Sequence, residues 1–366
     1  MTPMRARAAL FDAPGKPLRV EEIEVEAPGP EDVLVRMSAV GICGSDLHVV
    51  RGEWARPVPM VLGHEGSGVV EAVGEAVSNV AIGERVVISW APGCQQCAVC
   101  AQRRPAACPR LREGFGAGTL PDGTTRLSQY GKPVYRMTAV GALSTHVLMP
   151  HTGVIKMPDR VSFEEAALLG CAAITGAGAV LNVAKAGPES QAAVIGAGGV
   201  GQFIIQGLRI AGASTIVAVD PQPARRDQAL ALGATHAVAP DELAALLDEL
   251  GDVFDFTFEA VGAQQTFELA VGAVRNGGTT IIVGIPPTGT TVSLNPADIV
   301  VREKTVVGSM YGTGEPKATL AKLFHAPAQL ELSSMIGPRF TLDEVDAALD
   351  CSLNGESGRV LILPGA

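Results

Sequence analysis

The middle of the chain alternates between two apolar rhythms. Residues 192–196 read Ala-Ala-Val-Ile-Gly, a short apolar run that suits a buried strand and ends in a glycine turn. Gln202 to Gly212 then carries apolar residues at helical spacing, and Thr215-Ile-Val-Ala-Val219 forms a second strand closed by Asp220. The pattern continues with a helix over Asp241–Leu250, a strand over Val253–Phe258, a helix over Thr266–Val274 and a strand over Thr279–Gly284. Apolar strands separated by helices predict an α/β fold with a doubly wound parallel sheet, expected over residues 175–310.

The flanks follow a different rhythm. Short β-like runs broken by Gly and Pro occupy Leu18–Val25, Asp32–Val40, Gly68–Val73 and Glu84–Ser89. They predict a β-rich first domain over residues 1–174, to which residues 311–366 belong. Ser162-Phe-Glu-Glu165 and Thr341-Leu-Asp-Glu344 match the S/T-x-x-E capping box and should each start a helix. Arg359-Val-Leu-Ile-Leu363 is expected to be a last strand that rejoins the first domain.

Composition narrows the class. A length of 366 residues suits about two domains, and 47% apolar against 18% charged residues excludes a disordered chain. The 43 glycines and 25 prolines show no three-residue period, which excludes collagen. A net charge of −10 argues against nucleic acid as a partner. No uninterrupted apolar run reaches the length of about 18 residues that a membrane span needs, so no membrane partner is expected. Met1-Thr-Pro-Met-Arg-Ala-Arg7 is not followed by a long apolar stretch, and a cytoplasmic location is the expectation.

The cysteines give the first sharp chemical signal. Cys94, Cys97, Cys100 and Cys108 form C-x2-C-x2-C-x7-C. Disulfides fit a reduced cytosolic chain poorly, and an iron–sulfur cluster is a second alternative. Four thiolates at short spacing suit one closed tetrahedral zinc, which leaves no position for a substrate and is therefore assigned to structure. Pro92, Gly93, Pro105 and Pro109 make residues 92–110 read as a looped lobe rather than a helix, and ligation would supply folding free energy that its small core lacks. Cys43, His64 and Cys171 are further apart in sequence. A Cys2His set plus water is an open zinc arrangement, but spacing alone does not establish it, because a lone cysteine is usually a small buried apolar residue. Cys351 keeps that plain reading.

Gly196-Ala-Gly-Gly-Val-Gly201 is G-x-G-x-x-G in the strand, turn, helix, strand, acid context of a dinucleotide site. Gly196 permits the tight turn, Gly198 lets the backbone approach a pyrophosphate, and Gly201 lets helix and strand pack closely. Gly199 and Val200 complete the turn, where the helix N-terminus offers free N–H groups to phosphates. Asp220 can accept hydrogen bonds from ribose hydroxyls and would repel a 2′-phosphate, which favours NAD over NADP. Arg225 and Arg226 follow closely and could pair a 2′-phosphate or lie on a solvated helix face.

Five strings in order carry a resemblance: Gly41-Ile-Cys-Gly-Ser-Asp46, Gly63-His-Glu-Gly-Ser-Gly-Val-Val-Glu-Ala-Val-Gly74, the four-cysteine lobe, Gly170-Cys-Ala-Ala-Ile-Thr-Gly176 and Gly196–Gly201. Together they resemble the zinc-dependent medium-chain alcohol dehydrogenases over nearly the whole chain. Gly118–Arg126 is similar to the long loop of the class I and class III branches, which implies a homodimer. The resemblance implies a GroES-like catalytic domain beside a Rossmann NAD-binding domain, with two zinc ions per chain. It implies that Cys43, His64 and Cys171 hold a catalytic zinc, with Glu65 behind the metal and Asp46 orienting the His64 ring. Ser45 would contact the substrate oxygen, and His48 would pass its proton to solvent through the cofactor ribose. Trp90 and Val140 would wall the substrate pocket. Val283 and Ile285 would meet the nicotinamide amide, and Arg359 the pyrophosphate.

The implied reaction interconverts small-molecule alcohols, primary aliphatic or aryl, and aldehydes by hydride transfer. Two alternatives within the family are a thiol–formaldehyde adduct, for which Arg110 and Arg112 are nearby charges, and polyols or secondary alcohols. Polyol enzymes usually use glutamate as the third ligand where this chain has Cys171. A non-catalytic NAD-binding relative is the alternative from another class. One departure stands out: Gly44 follows Cys43 where many members carry a basic residue on the pyrophosphate.

Overall fold

The computed structural model describes residues 3–251, 253–325, 330–355 and 358–365. The chain forms two compact units, one of Met1–Cys171, Glu315–His325 and Leu332–Ala366, the other of Ala172–Gly314 and Ala326–Glu331.

The first unit is built on antiparallel strands. Its hub is the Asp32–Gly41 strand, which pairs with Glu65–Val73 on one side and with Arg359–Leu363 and His146–Pro150 on the other. The last strand therefore does return to the first unit, 317 residues away from the carbonyl its arginine meets. Register fixes the site at one end of this sheet: Gly41 lies opposite both Glu65 and Leu361. Cys43, His64 and Arg359 follow or precede those positions by one or two residues. The predicted strand over Gly68–Val73 starts three residues earlier, at Glu65, because the buried glycines and serine of Glu65–Gly68 continue the ladder.

Both capping boxes form. Ser162 Oγ accepts from Glu165 N–H at 3.2 Å and starts a helix at Phe163. Thr341 likewise caps a 3₁₀ turn, Leu342–Glu344, that leads into the helix Val345–Leu353. The helix begun at Phe163 runs to Ala184 and is long and apolar enough, by length and composition, to cross a membrane. Its apolar run is interrupted by Glu164, Glu165, Thr175 and Asn182, and 78% of its apolar window is buried inside the protein, as in a core helix. The four-cysteine lobe departs from its reading as a loop. It carries a short helix at Ala98–Ala101, a 3₁₀ turn at Pro105–Ala107 and a helix at Pro109–Ala117. Pro109 starts this helix rather than breaking it, since at the first helical position proline gives up no hydrogen bond.

The second unit holds a six-stranded parallel sheet in the order His236–Val238, Thr215–Val219, Gln191–Ile195, Phe256–Glu259, Thr279–Ile282, Thr305–Gly308. Successive residues of each strand serve opposite faces. Ala192, Val194, Ile216 and Ala218 pack with Ile204, Ile205 and Leu208. Ala193, Ile195, Val217 and Val219 pack with Leu243, Phe254 and Ala270. Both faces are covered, which is why the strands read as continuous apolar runs. The fourth strand is shorter than its sequence suggests: pairing begins at Phe256, leaving Val253 to Asp255 outside it.

Candidate active site

Four ligand-type side chains converge in the first unit. One ligand atom from each of Cys43, His64, Glu65 and Cys171 lies within 4.8 Å of all the others, and every one of these residues is buried. Two thiols, an imidazole and a carboxylate at this separation match the donor set and reach of a single zinc ion. The local structure explains each placement. Cys43 caps the helix Gly44–Val50, and the third helical residue, Asp46, reaches back to accept the Cys43 N–H at 2.8 Å. His64 and Glu65 sit where the Glu65–Val73 strand begins. Cys171 sits on a π-helical turn, Leu169–Ala173, within the long helix; such turns widen the ring of backbone hydrogen bonds and turn a side chain to a new direction.

Asp46 does more than face the imidazole. Its second oxygen accepts the Gly63 N–H at 2.9 Å, so one fully buried carboxylate ties the Cys43 and His64 segments together. Its nearest approach to His64 Nδ1 is 3.7 Å, longer than a hydrogen bond. Arg359 lies beside Glu65, Nε 3.3 Å from Oε2, and donates from Nη1 to the Ile42 carbonyl at 2.8 Å.

The electrostatics follow from burial. Desolvation pushes the Glu65 carboxyl up to about 8 in spite of the Arg359 charge. The Cys171 thiol, hydrogen-bonded to Cys43, holds Cys43 well below the ordinary thiol range, and the same contact together with burial raises Cys171. Burial opposes a charged His64 ring, but the Asp46 and Cys43 charges overcome it and raise its pKa. Cys43 is thus the thiol that ionises first.

A second cluster lies in the lobe. Cys94, Cys97, Cys100 and Cys108 also bring their sulfurs within 4.8 Å of one another, with Cys97 and Cys108 at 3.9 Å. Backbone N–H groups of Gln96 and Cys97 overcome desolvation and bring the Cys94 thiol down to about 6. Burial pushes Cys100 up to about 12. All seven cysteines are free thiols. Four sulfurs with no carboxylate or imidazole among them fit a closed ion site.

The other residues singled out in the sequence fall in several places. Ser45 is half-buried on the helix Gly44–Val50, as is His48, whose Nδ1 meets a Glu53 carboxylate oxygen. Trp90 is buried and set edge-on to Phe115 with ring centroids 5.4 Å apart; Val140 is buried after the Met137–Ala139 turn.

In the second unit the glycine turn starts a helix at Gly199, three residues before the apolar spacing begins. Gly196 has φ 95°, and a β-carbon on Gly201 would lie 1.8 Å from the Gly196 carbonyl oxygen, so neither position accepts a side chain. Asp220 is buried, and its oxygens accept Ala197 N–H and Gln222 N–H, each at 2.9 Å. Arg225 Nη1 stands 3.7 Å from that carboxylate, and Arg226 is tied to the Asp220 and Pro221 carbonyls. Val283 is buried and Ile285 is 44% exposed.

Two acids escaped the sequence reading. Glu53 is one. Glu259 is the other: its Oε1 accepts Val261 N–H, Gly262 N–H and Thr266 Oγ–H, while its backbone oxygen takes Val283 N–H at 2.8 Å. A charged residue ending an apolar strand was the signal for Glu259.

The cluster of two thiols, an imidazole and a carboxylate, together with a glycine turn on a parallel sheet, fits an oxidoreductase. Residues 29–159 match the alcohol dehydrogenase GroES-like domain, and residues 199–326 match the zinc-binding dehydrogenase domain. Alcohol dehydrogenase 6 of Peromyscus maniculatus is 34% identical over 370 residues, covering 99% of this chain and 98% of that one. S-(hydroxymethyl)glutathione dehydrogenase of Escherichia coli is 33% identical over 368 residues, covering 98% and 100%. The crystal structure of benzyl alcohol dehydrogenase from Acinetobacter calcoaceticus superposes with a TM-score of 0.92 at 30% identity, covering 98% and 99%. The chain belongs to the zinc-dependent medium-chain alcohol dehydrogenase family.

Proposed function

We propose that this chain interconverts primary aliphatic or aryl alcohols and their aldehydes, with NAD as hydride carrier and two zinc ions per chain. The observation that carries the reading is the buried convergence of Cys43, His64, Glu65 and Cys171. A bound zinc supplies Lewis-acid polarisation of the substrate oxygen, and a bound nicotinamide supplies the hydride acceptor. Cys43, His64 and Cys171 hold the metal. Asp46 keeps the two ligand-bearing segments in register through its backbone hydrogen bonds. Glu65, with Arg359 at its back, is a fourth donor that can yield its place to substrate. The Ser45 hydroxyl relays the alcohol proton, accepting it while giving up its own, and His48, reached through the cofactor ribose, delivers a proton to solvent. Trp90 and Val140 wall an apolar slot. The lobe cysteines hold the second, structural zinc.

Cofactor choice follows from charge. Asp220 still has lone pairs for ribose hydroxyls and disfavours a 2′-phosphate, which supports NAD. Arg225, close to that carboxylate, is placed to serve the same end of the cofactor. Gly196–Gly201 seats the pyrophosphate, and Val283 and Ile285 meet the nicotinamide.

A panel of primary aliphatic, benzylic, secondary, polyol and thiol-adduct substrates, followed by NADH absorbance, tests the reading. Primary aliphatic and benzylic alcohols are expected to turn over fastest. Faster turnover of polyols would overturn the branch. The thiol-adduct reading is the second one, supported by the likeness to S-(hydroxymethyl)glutathione dehydrogenase, and a higher kcat/KM for that adduct would establish it; Arg110 and Arg112 lie exposed on the lobe helix.

A homodimer has its own support. Among the described residues the Thr305–Gly308 strand ends the parallel sheet, and Val300 and Val301 beside it are 74% and 81% exposed. A bare strand edge flanked by apolar side chains is a template for pairing with a second copy. Sedimentation is expected to give twice the chain mass, and Val300→Asp with Val301→Asp to give the monomer. Seven free thiols suit a reducing, cytoplasmic setting.

A further inference from the structure

The helix Gly44–Val50 ends abruptly, and the chain beyond it folds back onto one residue. Gly52 takes φ 75°, and a β-carbon there would come within 2.9 Å of the Pro14 ring. The reversal lets both Glu53 N–H and Trp54 N–H donate to the His48 carbonyl, at 2.9 and 3.3 Å. The side chains close over the same histidine. A Glu53 carboxylate oxygen meets His48 Nδ1, and the Trp54 ring stacks on the imidazole with centroids 4.5 Å apart and planes at 20°. Two cations stand further out. Arg51 Nη1 is 3.9 Å from the other Glu53 oxygen, and the Arg56 guanidinium lies 5.7 Å over Trp54.

We propose that Glu53 is a positioning residue for His48: it fixes the ring proton on Nδ1 and leaves Nε2 as the proton-accepting atom. The inference rests on the reading of His48 as the proton exit. A carboxylate only accepts hydrogen bonds, so the nitrogen facing it carries the hydrogen and the other keeps its lone pair. Trp54, stacked on one face, opposes the ring flip that would exchange the two edges. In turnover Nε2 gains one proton and the ring becomes an imidazolium beside the Glu53 carboxylate, which stabilises it. One proton then leaves to water and the neutral ring returns. Histidine and carboxylate share this division of labour in hydrolytic triads.

The test uses the zinc-loaded enzyme with NAD, by ¹⁵N NMR of the histidine rings and by steady-state kinetics. The wild type is expected to hold His48 as the Nδ1–H tautomer, and Glu53→Gln to populate Nε2–H, because an amide can donate to Nδ1. Glu53→Gln should lower kcat about tenfold, the scale of a weakened general base, with the alcohol KM within about twofold of the wild type. In a His48→Ala background the same substitution should cost nothing further. An Nε2–H tautomer in the wild type, or an undiminished Glu53→Gln effect without His48, overturns the proposal alone. Unchanged kcat in His48→Ala overturns the proton path and the proposal with it.

Discussion

Replacing Cys171 with alanine is expected to remove one of two zinc ions and to lower alcohol oxidation by on the order of a thousandfold. Cys171 supplies one of two sulfurs in the buried cluster, and the remaining donors, Cys43, His64 and Glu65, leave the site a thiolate short. The substitution sits on a helical run, where alanine is the best-tolerated residue, so folding should survive. Metal content by atomic emission and NADH formation by absorbance check both halves. Cys351, also buried, serves as the comparison: Cys351→Ala should keep two zinc ions and near-normal turnover. An enzyme that loses Cys171 and still turns over at the wild-type rate would remove the catalytic metal from the reading.

Cys108→Ala is expected to act on stability instead. Cys108 is fully buried and precedes the helix Pro109–Ala117, so it fastens that helix to the rest of the lobe. Ligation of structural zinc is worth roughly 10–16 kcal/mol in isolated zinc-finger peptides. In a lobe covalently held at both ends by a folded unit, part of that is recovered, and a net loss of about 4 kcal/mol is expected. For a chain of 366 residues that lowers the melting temperature by roughly 5 °C. Calorimetry checks the magnitude, and limited proteolysis should open new cleavage between Cys94 and Ala117. A wild-type melting temperature would mean that the four sulfurs carry no metal.

The two substitutions separate because the two clusters differ in donors. Four sulfurs suit a closed site, and a mixed set of two thiols, an imidazole and a carboxylate suits an open one. Glu65 gives the open site its character. Burial raises its carboxyl to about 8, and the neighbouring Arg359 charge opposes that rise and favours the carboxylate.

Much of this was legible in the chain. The strand and helix order of the second unit, the glycine turn and the two capping boxes depend on neighbours within a few residues, and they appear in the predicted order with ends shifted by up to three residues. Errors came where local signals were overruled. Pro109 read as a breaker but begins a helix, since a proline's effect depends on whether it stands first or inside. The π-helical turn at Leu169–Ala173 left no mark in the apolar spacing. The contact of Arg359 with Glu65 left no local mark either; strand pairing makes it by setting Leu361 and Glu65 on either side of Gly41. Glu53 carried no motif; a glycine reversal after the helix turned it back onto His48.

The sequence by itself determined the kinds of groups available: thiols and an imidazole of the right type, a turn that admits no side chain, strands apolar on both faces. These follow from residue chemistry and backbone sterics acting over a turn or two. Only the tertiary structure decided which of them meet. Cys43, His64 and Cys171 share one site because an antiparallel register and a long helix bring distant segments to the same sheet end. That choice is made by the pairing of strands far apart in the chain, and no local spacing encodes it.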